Sequence, residues 1–127
     1  MRRWMAAIAM VLFAANGAAA QEWKAPTEAK GTKNPVAKAK GIKEGKEEYE
    51  KNCAVCHAKT GKGDGPGAAA LSPKPKDLSD TGIQAQADGE LLWKISEGRG
   101  AMPPWKQLPG KDRWSLVHYV RSLAGKK

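Results

Sequence analysis

Cys53-Ala54-Val55-Cys56-His57 sets two thiols three residues apart, with an imidazole directly after the second. This C-x-x-C-H spacing is the attachment pattern of c-type haem. Each thiol can add across one haem vinyl group to form a thioether, and the histidine then lies under the iron as an axial ligand. The chain holds two cysteines in all, so no thiol is left for a second task. Other uses of the pair fit less well. A disulfide across two intervening residues is a strained staple with little entropic benefit. A thioredoxin-like redox pair calls for a βαβ setting, and no β-rich run surrounds the motif. A zinc site would need Cys53, Cys56, His57 and His118, and adjacent Cys56 and His57 point in different directions, which suits a tetrahedron poorly.

A second axial ligand must come from elsewhere in the chain. Of four methionines, Met1, Met5 and Met10 fall in the first twenty residues, which leaves Met102. It sits in Arg99-Gly100-Ala101-Met102-Pro103-Pro104-Trp105, where a glycine and two prolines impose a stiff, non-helical backbone. His118 is the competitor. It falls off the apolar stripe of its helix, beside Arg121 and Ser122, where a solvated residue is expected. Met102 is therefore the expected thioether ligand. Arg99, Trp93, Trp105 and Trp114 are candidates for meeting the haem propionates or walling the pocket, with Trp114 better suited to core filling. A cavity flanked by His57 and Met102 is expected.

The rest of the chain must position these groups. The 127 residues carry a net charge of +9. Residues 1–20 read as an export signal: Arg2 and Arg3, an apolar run from Trp4 to Ala15, then Ala18-Ala19-Ala20. The run is short for a membrane span. Cleavage there would leave one small domain with a limited core, which a large apolar cofactor would complete. Export implies an oxidising compartment, the periplasm of a bacterium, and removes the chain from nucleic acid despite its charge. Residues 21–41 read as a flexible arm bearing Lys24, Lys30, Lys33, Lys38 and Lys40, either a solvated tether or a docking segment. Residues 42–127 form the folded domain.

Within that domain Ile42, Gly45, Tyr49, Cys53 and Cys56 share one helical face, so a first helix delivers the thiols at its C-terminal end. Thr60 to Asp80 is a Gly/Pro-rich loop. It lacks the Lys-Ser/Thr pair of a phosphate loop and is expected to lay backbone tightly against one haem edge. Asp88 is the expected cap of a short helix ended by Gly98. A last helix, Lys111 to Ala124, carries Leu116, Val117, Val120 and Leu123 as its apolar stripe.

From Lys43 to Ala124 these residues resemble the class I c-type cytochromes, the small monohaem carriers. The resemblance implies an all-α cytochrome c fold, three to five short helices wrapped around one haem c. The haem is bound covalently through Cys53 and Cys56, with His57 and Met102 on the iron. It implies that Gly45 and Tyr49 of the first helix cross Leu116 and Tyr119 of the last. It also implies a proline carbonyl accepting the His57 Nδ1–H, with Pro66, Pro73 and Pro75 as contenders. The implied role is one-electron transfer between Fe(II) and Fe(III) for a respiratory or dehydrogenase partner, without substrate conversion. The alternatives are a bound cytochrome subunit of a larger oxidoreductase and, more remotely, a haem enzyme or gas sensor with Met102 off the iron. The expected partner is a redox protein with an acidic docking surface. The carrier is expected to be monomeric, and to meet a membrane if its signal stays uncleaved.

Overall fold

The computed structural model describes residues 22–125; the expected signal segment, 1–20, lies outside the described residues. Five α-helices follow a 3₁₀ helix at Thr27–Gly31: α1 (Lys38–Asn52), α2 (Ala54–His57), α3 (Thr81–Gln84), α4 (Asp88–Glu97) and α5 (Gly110–Ser122). The described residues contain one isolated antiparallel bridge, Arg99 to Met102, and no strand. The all-α expectation holds.

The frame is the crossing of α1 and α5. Gly45 is buried there because nothing larger fits: a Cβ on it would lie 2.1 Å from the Ser115 carbonyl oxygen and 3.0 Å from Tyr119 Cβ. One turn on, the rings of Tyr49 and Tyr119 meet at 4.9 Å with a 56° tilt, a favourable aromatic geometry. Tyr49, Ala54, Leu116, Tyr119 and Leu123 form one core cluster. Leu91, Trp114, Val117 and Val120 form a second, between α4 and α5. Leu78 and Ile95 pack against both and join them. Trp114 fills core, as expected.

Helix boundaries differ from the sequence reading: α5 spans Gly110–Ser122 where Lys111 to Ala124 was expected, and α1 and α4 differ in ways that bear on the site. α1 begins at Lys38, four residues before Ile42. Its first turn offers no large apolar side chain; it is held by close packing instead, since a Cβ on buried Gly41 would lie 2.4 Å from His118 Cδ2. α1 stops at Asn52, Cys53 takes φ −112°, and the motif continues as the separate α2. Asp88 does not cap α4. The Ala87 N–H donates to Glu90 Oε1 at 2.9 Å, while Asp88 Oδ1 accepts from Arg121 Nε at 2.8 Å. Arg121 also donates to the carbonyls of Gln84 and Gln86, and so ties the end of α5 to the α3–α4 connection.

Residues 22–37 do not form the flexible arm expected for 21–41. They pack as a strap across α4 and α5. The Ala29 carbonyl oxygen sits where a Cβ of Gly89 would come within 1.8 Å. Asn34 Nδ2 donates to the Trp114 carbonyl at 2.9 Å. The Val36 carbonyl accepts from His118 Nε2 at 2.7 Å. His118 is thus half-buried and engaged, not the solvated residue its position suggested. Glycines opposite backbone carry no hydrophobic signal, which is why the strap reads as a tether in sequence.

Candidate haem site

A ladder of backbone hydrogen bonds holds the motif. The last carbonyls of a helix lack intrahelical partners. In α2 the loop supplies them: Gly67 N–H donates to Val55 O at 2.7 Å, Gly65 to Cys56 O at 3.1 Å and Gly63 to His57 O at 2.9 Å. Every second loop residue is a glycine at this contact, and a Cβ on Gly65 would fall 2.5 Å from the Val55 oxygen. The loop glycines therefore lie against the attachment helix, where the sequence reading placed them at a haem edge. Beneath α2, Tyr49 Oη donates to the Ala58 carbonyl at 2.6 Å.

Cys53, at the N-cap of this short helix, and Cys56, within it, are both free thiols and half-buried. Burial pushes the Cys53 thiol up to about 12, with Glu48 and Cys56 adding to the effect, so it stays protonated at neutral pH. Val55 between them is 54% exposed, which puts the outer side of the motif at the surface.

Burial also lowers the His57 pKa, against an opposing hydrogen bond to backbone, and keeps the ring neutral at pH 7. Its Nδ1 lies 3.1 Å from the Lys76 carbonyl oxygen. This corrects the expected proline: the acceptor belongs to the residue after Pro75, while the Pro75 carbonyl lies against Gly63, where a Cβ would come within 2.3 Å. The Lys76 segment is fixed from its far side. Ser79 donates to Asp77 Oδ1 from both hydroxyl (2.6 Å) and backbone (2.9 Å), and Lys62 Nζ reaches Ser79 Oγ at 2.7 Å. Leu78 N–H donates to Gly61 O at 2.7 Å.

Met102 stands on a tight hairpin at the end of α4. Arg99 N–H donates to Met102 O at 2.9 Å and Met102 N–H to Arg99 O at 3.0 Å. Gly98 closes α4 at φ +64°, and a Cβ there would strike Met102 O at 2.5 Å. The Trp105 N–H donates back to the Ile95 and Ser96 carbonyls, so both ends of the Met-Pro-Pro-Trp segment are pinned to α4. Trp93 and Trp105 are half-buried and Arg99 is exposed. Two open, shallow clefts lie elsewhere. One, of about 340 Å³, lies between the strap and α4 and includes Ala29, Leu92 and Trp93; the other, of about 460 Å³, lies beside α2 and includes Glu50, Val55 and Pro66. Neither is lined by His57 or Met102, so they are not the cavity expected between those two residues.

The donor set fits a covalent haem. Two free thiols sit at one short helix, Cys53 at its N-cap and Cys56 within it, and the His57 imidazole beside them has Nδ1 turned to a carbonyl, which would leave Nε2 for iron. No cluster of three or more His, Cys, Asp or Glu side chains suited to a metal ion occurs among the described residues, which leaves the zinc alternative unsupported.

Residues 40–120 match the family model described as cytochrome c oxidase, cbb3-type, subunit III. The chain is 36% identical over 100 residues to the cbb3-type cytochrome c oxidase subunit CcoP of Azospirillum sp. (strain B510), covering 72% of this chain and 32% of that one. It thus spans about a third of that relative's length. Among solved structures it is similar to a chain of the Kuenenia stuttgartiensis reducing HAO-like protein complex Kustc0457/Kustc0458, with a TM-score of 0.63 and 32% identity over 71% of this chain and 47% of that one. It is also similar to the KustC0563 c-type cytochrome, with a TM-score of 0.53 and 28% identity over 63% of this chain and 96% of that one. Cytochrome cL of Hyphomicrobium denitrificans shares the fold at a TM-score of 0.53 and 24% identity, over 76% of this chain and 62% of that one.

Proposed function

The chain belongs to the cbb3-type subunit III family of c-type cytochromes, and from that premise we propose that it passes single electrons within a larger oxidoreductase, as a bound cytochrome subunit. The observation that carries electron transfer is the pairing of two free thiols with a neutral His57 whose Nδ1 faces the Lys76 carbonyl. The subunit reading draws on the relatives: CcoP is an oxidase subunit about three times the length of the shared region, and the HAO-like protein is part of a complex. This favours the bound subunit over the freely diffusing carrier that the sequence first suggested.

Haem c, once bound, supplies the Fe(II)/Fe(III) couple. The chain's own contribution is anchoring, ligation and burial. Cys53 and Cys56 carry the thioether links. Donation from His57 Nδ1–H to the Lys76 carbonyl fixes the tautomer, so the Nε2 lone pair is free for the metal. Met102 is the second ligand in this reading, and its soft sulfur favours the ferrous state over a second nitrogen. The glycine ladder under α2 and the hairpin under Met102 hold both ligands on stiff backbone, which keeps rearrangement on electron transfer small. His57 and Met102 would both hold the iron in this reading, a role of electron transfer without substrate conversion.

Export to the periplasm is part of the same reading; no described helix is long and apolar enough to cross a membrane. The partner is a redox protein with an acidic face, met by a chain of net charge +9.

The test is expression of the full chain in a host competent in haem c maturation. The expected product gains the mass of one haem, shows a six-coordinate spectrum, and co-purifies with a redox partner at high salt. A colourless product of unmodified mass would overturn the electron-transfer reading. A haem-bearing chain that purifies alone would return the role to that of a free carrier.

A further inference from the structure

The strap of residues 22–37 lies ahead of the family-matched region, 40–120, and reaches the segment that carries Met102. Its far end is anchored three times, at Gly89 of α4 and at Trp114 and His118 of α5. Its near end is Trp23. That indole lies under two cations: Lys94 Nζ is 5.4 Å from the ring centroid and Arg99 Cζ is 5.9 Å from it. Both cations belong to the base of the Met102 hairpin. The Lys94 carbonyl accepts the Gly98 N–H that closes α4, and Arg99 shares two backbone hydrogen bonds with Met102. Desolvation lowers the Lys94 pKa, in keeping with an aromatic cover.

We infer that Trp23 is a positioning residue for Met102: by stacking under Lys94 and Arg99, the strap holds the hairpin closed so that the thioether stays at its ligand position. The inference rests on Met102 being the axial ligand. Trp23 acts through Arg99 and Lys94, the two side chains over its ring. Removing the indole leaves the backbone pair of Arg99 and Met102 intact but frees their side of the hairpin to open more often. An opened hairpin exposes the sixth coordination position to small added ligands. Affinity for such a ligand then reports the open fraction directly.

The experiment is imidazole titration of the oxidised, haem-bearing protein, followed by the sulfur-to-iron absorption band. Loss of two cation–π contacts predicts that Trp23→Ala raises imidazole affinity by about threefold to tenfold. Trp23→Phe keeps a ring and is expected to retain most of the wild-type resistance. Arg99→Gln keeps the backbone pair, removes one cation, and should move affinity in the same direction as Trp23→Ala. Lys30→Ala, exposed on the strap, should leave it unchanged. Should Trp23→Ala not mature, Arg99→Gln and Trp23→Phe carry the test. Wild-type imidazole affinity in Trp23→Ala, or in Arg99→Gln where that variant stands in, would overturn the inference. Met102→Ala separates this from failure of the ligand assignment: if the band survives that substitution, the assignment itself is wrong and the strap positions something else.

Discussion

Tyr49 Oη donates a 2.6 Å hydrogen bond to the carbonyl of Ala58, the residue that follows His57. Ala58 is the one described non-glycine residue with a left-handed φ, 64°, paired with ψ 161°, a region that only glycine enters freely. The chain must turn there to leave α2 and start the loop that comes back over it. Tyr49, 1% exposed and in tilted ring contact with Tyr119, therefore ties the α1–α5 crossing to a strained turn directly after His57.

Two substitutions separate hydrogen bonding from backbone strain at this turn. Tyr49→Phe keeps the packing and removes one of two hydrogen bonds to the Ala58 carbonyl, which still accepts from the Gly61 N–H at 3.1 Å, and is expected to cost about 1 kcal/mol. Ala58→Gly relieves a conformation that costs roughly 1–3 kcal/mol, while the freedom it adds to the unfolded chain costs less than about 1 kcal/mol. Strain relief outweighs the added freedom, so Ala58→Gly should stabilise the protein. Urea denaturation of the matured protein checks both signs; a destabilised Ala58→Gly variant would refute the strain argument.

The α1–α5 crossing gives a steeper prediction. A methyl group on Gly45 would lie 2.1 Å from a backbone oxygen, which cannot swing aside as a flexible side chain can. Gly45→Ala is expected to cost about 3 kcal/mol by forcing the helices apart. Gly31→Ala, with open space around its Cβ, should change stability little. Denaturant midpoints of the two variants make the comparison.

How much of this was legible in the sequence depended on the kind of contact. The Gly45–Tyr49 face and the Gly98 stop are side-chain or φ signals, and the structure places them as read; α1 ends at Asn52, short of the thiols it was expected to carry. The α1 start at Lys38, the strap and the role of His118 rest on close packing at Gly41 and Gly89 and on hydrogen bonds between residues some eighty positions apart. Neither leaves a periodic trace in the chain. The Lys76 carbonyl is the same kind of case. Any residue offers a carbonyl, so no side chain near Pro75 marks which one faces His57. Short α3 escaped because a four-residue helix has no period to detect, and its Gln84 side chain is held by the distant carbonyl of Val120 at 2.9 Å.

Asp77 supplies a pH test of the clamp behind His57. Hydrogen bonds from the Ser79 hydroxyl and backbone, aided by Lys62, hold its carboxyl below the ordinary value of 3.8. A carboxylate whose folded pKa is depressed adds stability above its unfolded pKa, and that stability is lost as pH falls through the lower folded value. Wild type should therefore exceed Asp77→Asn in stability by a constant margin above about pH 5, and the margin should close below about pH 4. Parallel urea titrations across that range measure it. A margin independent of pH would mean that the clamp does not depend on the charge.

Met102 and His118 remain the two residues whose removal best separates the ligand schemes. His118 Nε2 is already bonded to the Val36 carbonyl at 2.7 Å, and its ring packs on Gly41, so a turn toward iron would cost it both contacts. Met102 stands differently: its backbone is pinned and its side chain is half-buried. Met102→Ala should keep the covalent haem and its mass, lose the sulfur-to-iron band, and lower the reduction potential by on the order of 0.1 V. His118→Ala should keep both band and potential while losing stability, because Val36 and the start of α1 lose their partner. The opposite pattern, a band that survives Met102→Ala and a potential that moves with His118→Ala, would transfer the axial position to the histidine. The strap would then anchor a ligand-bearing element by way of Val36, not by way of Trp23.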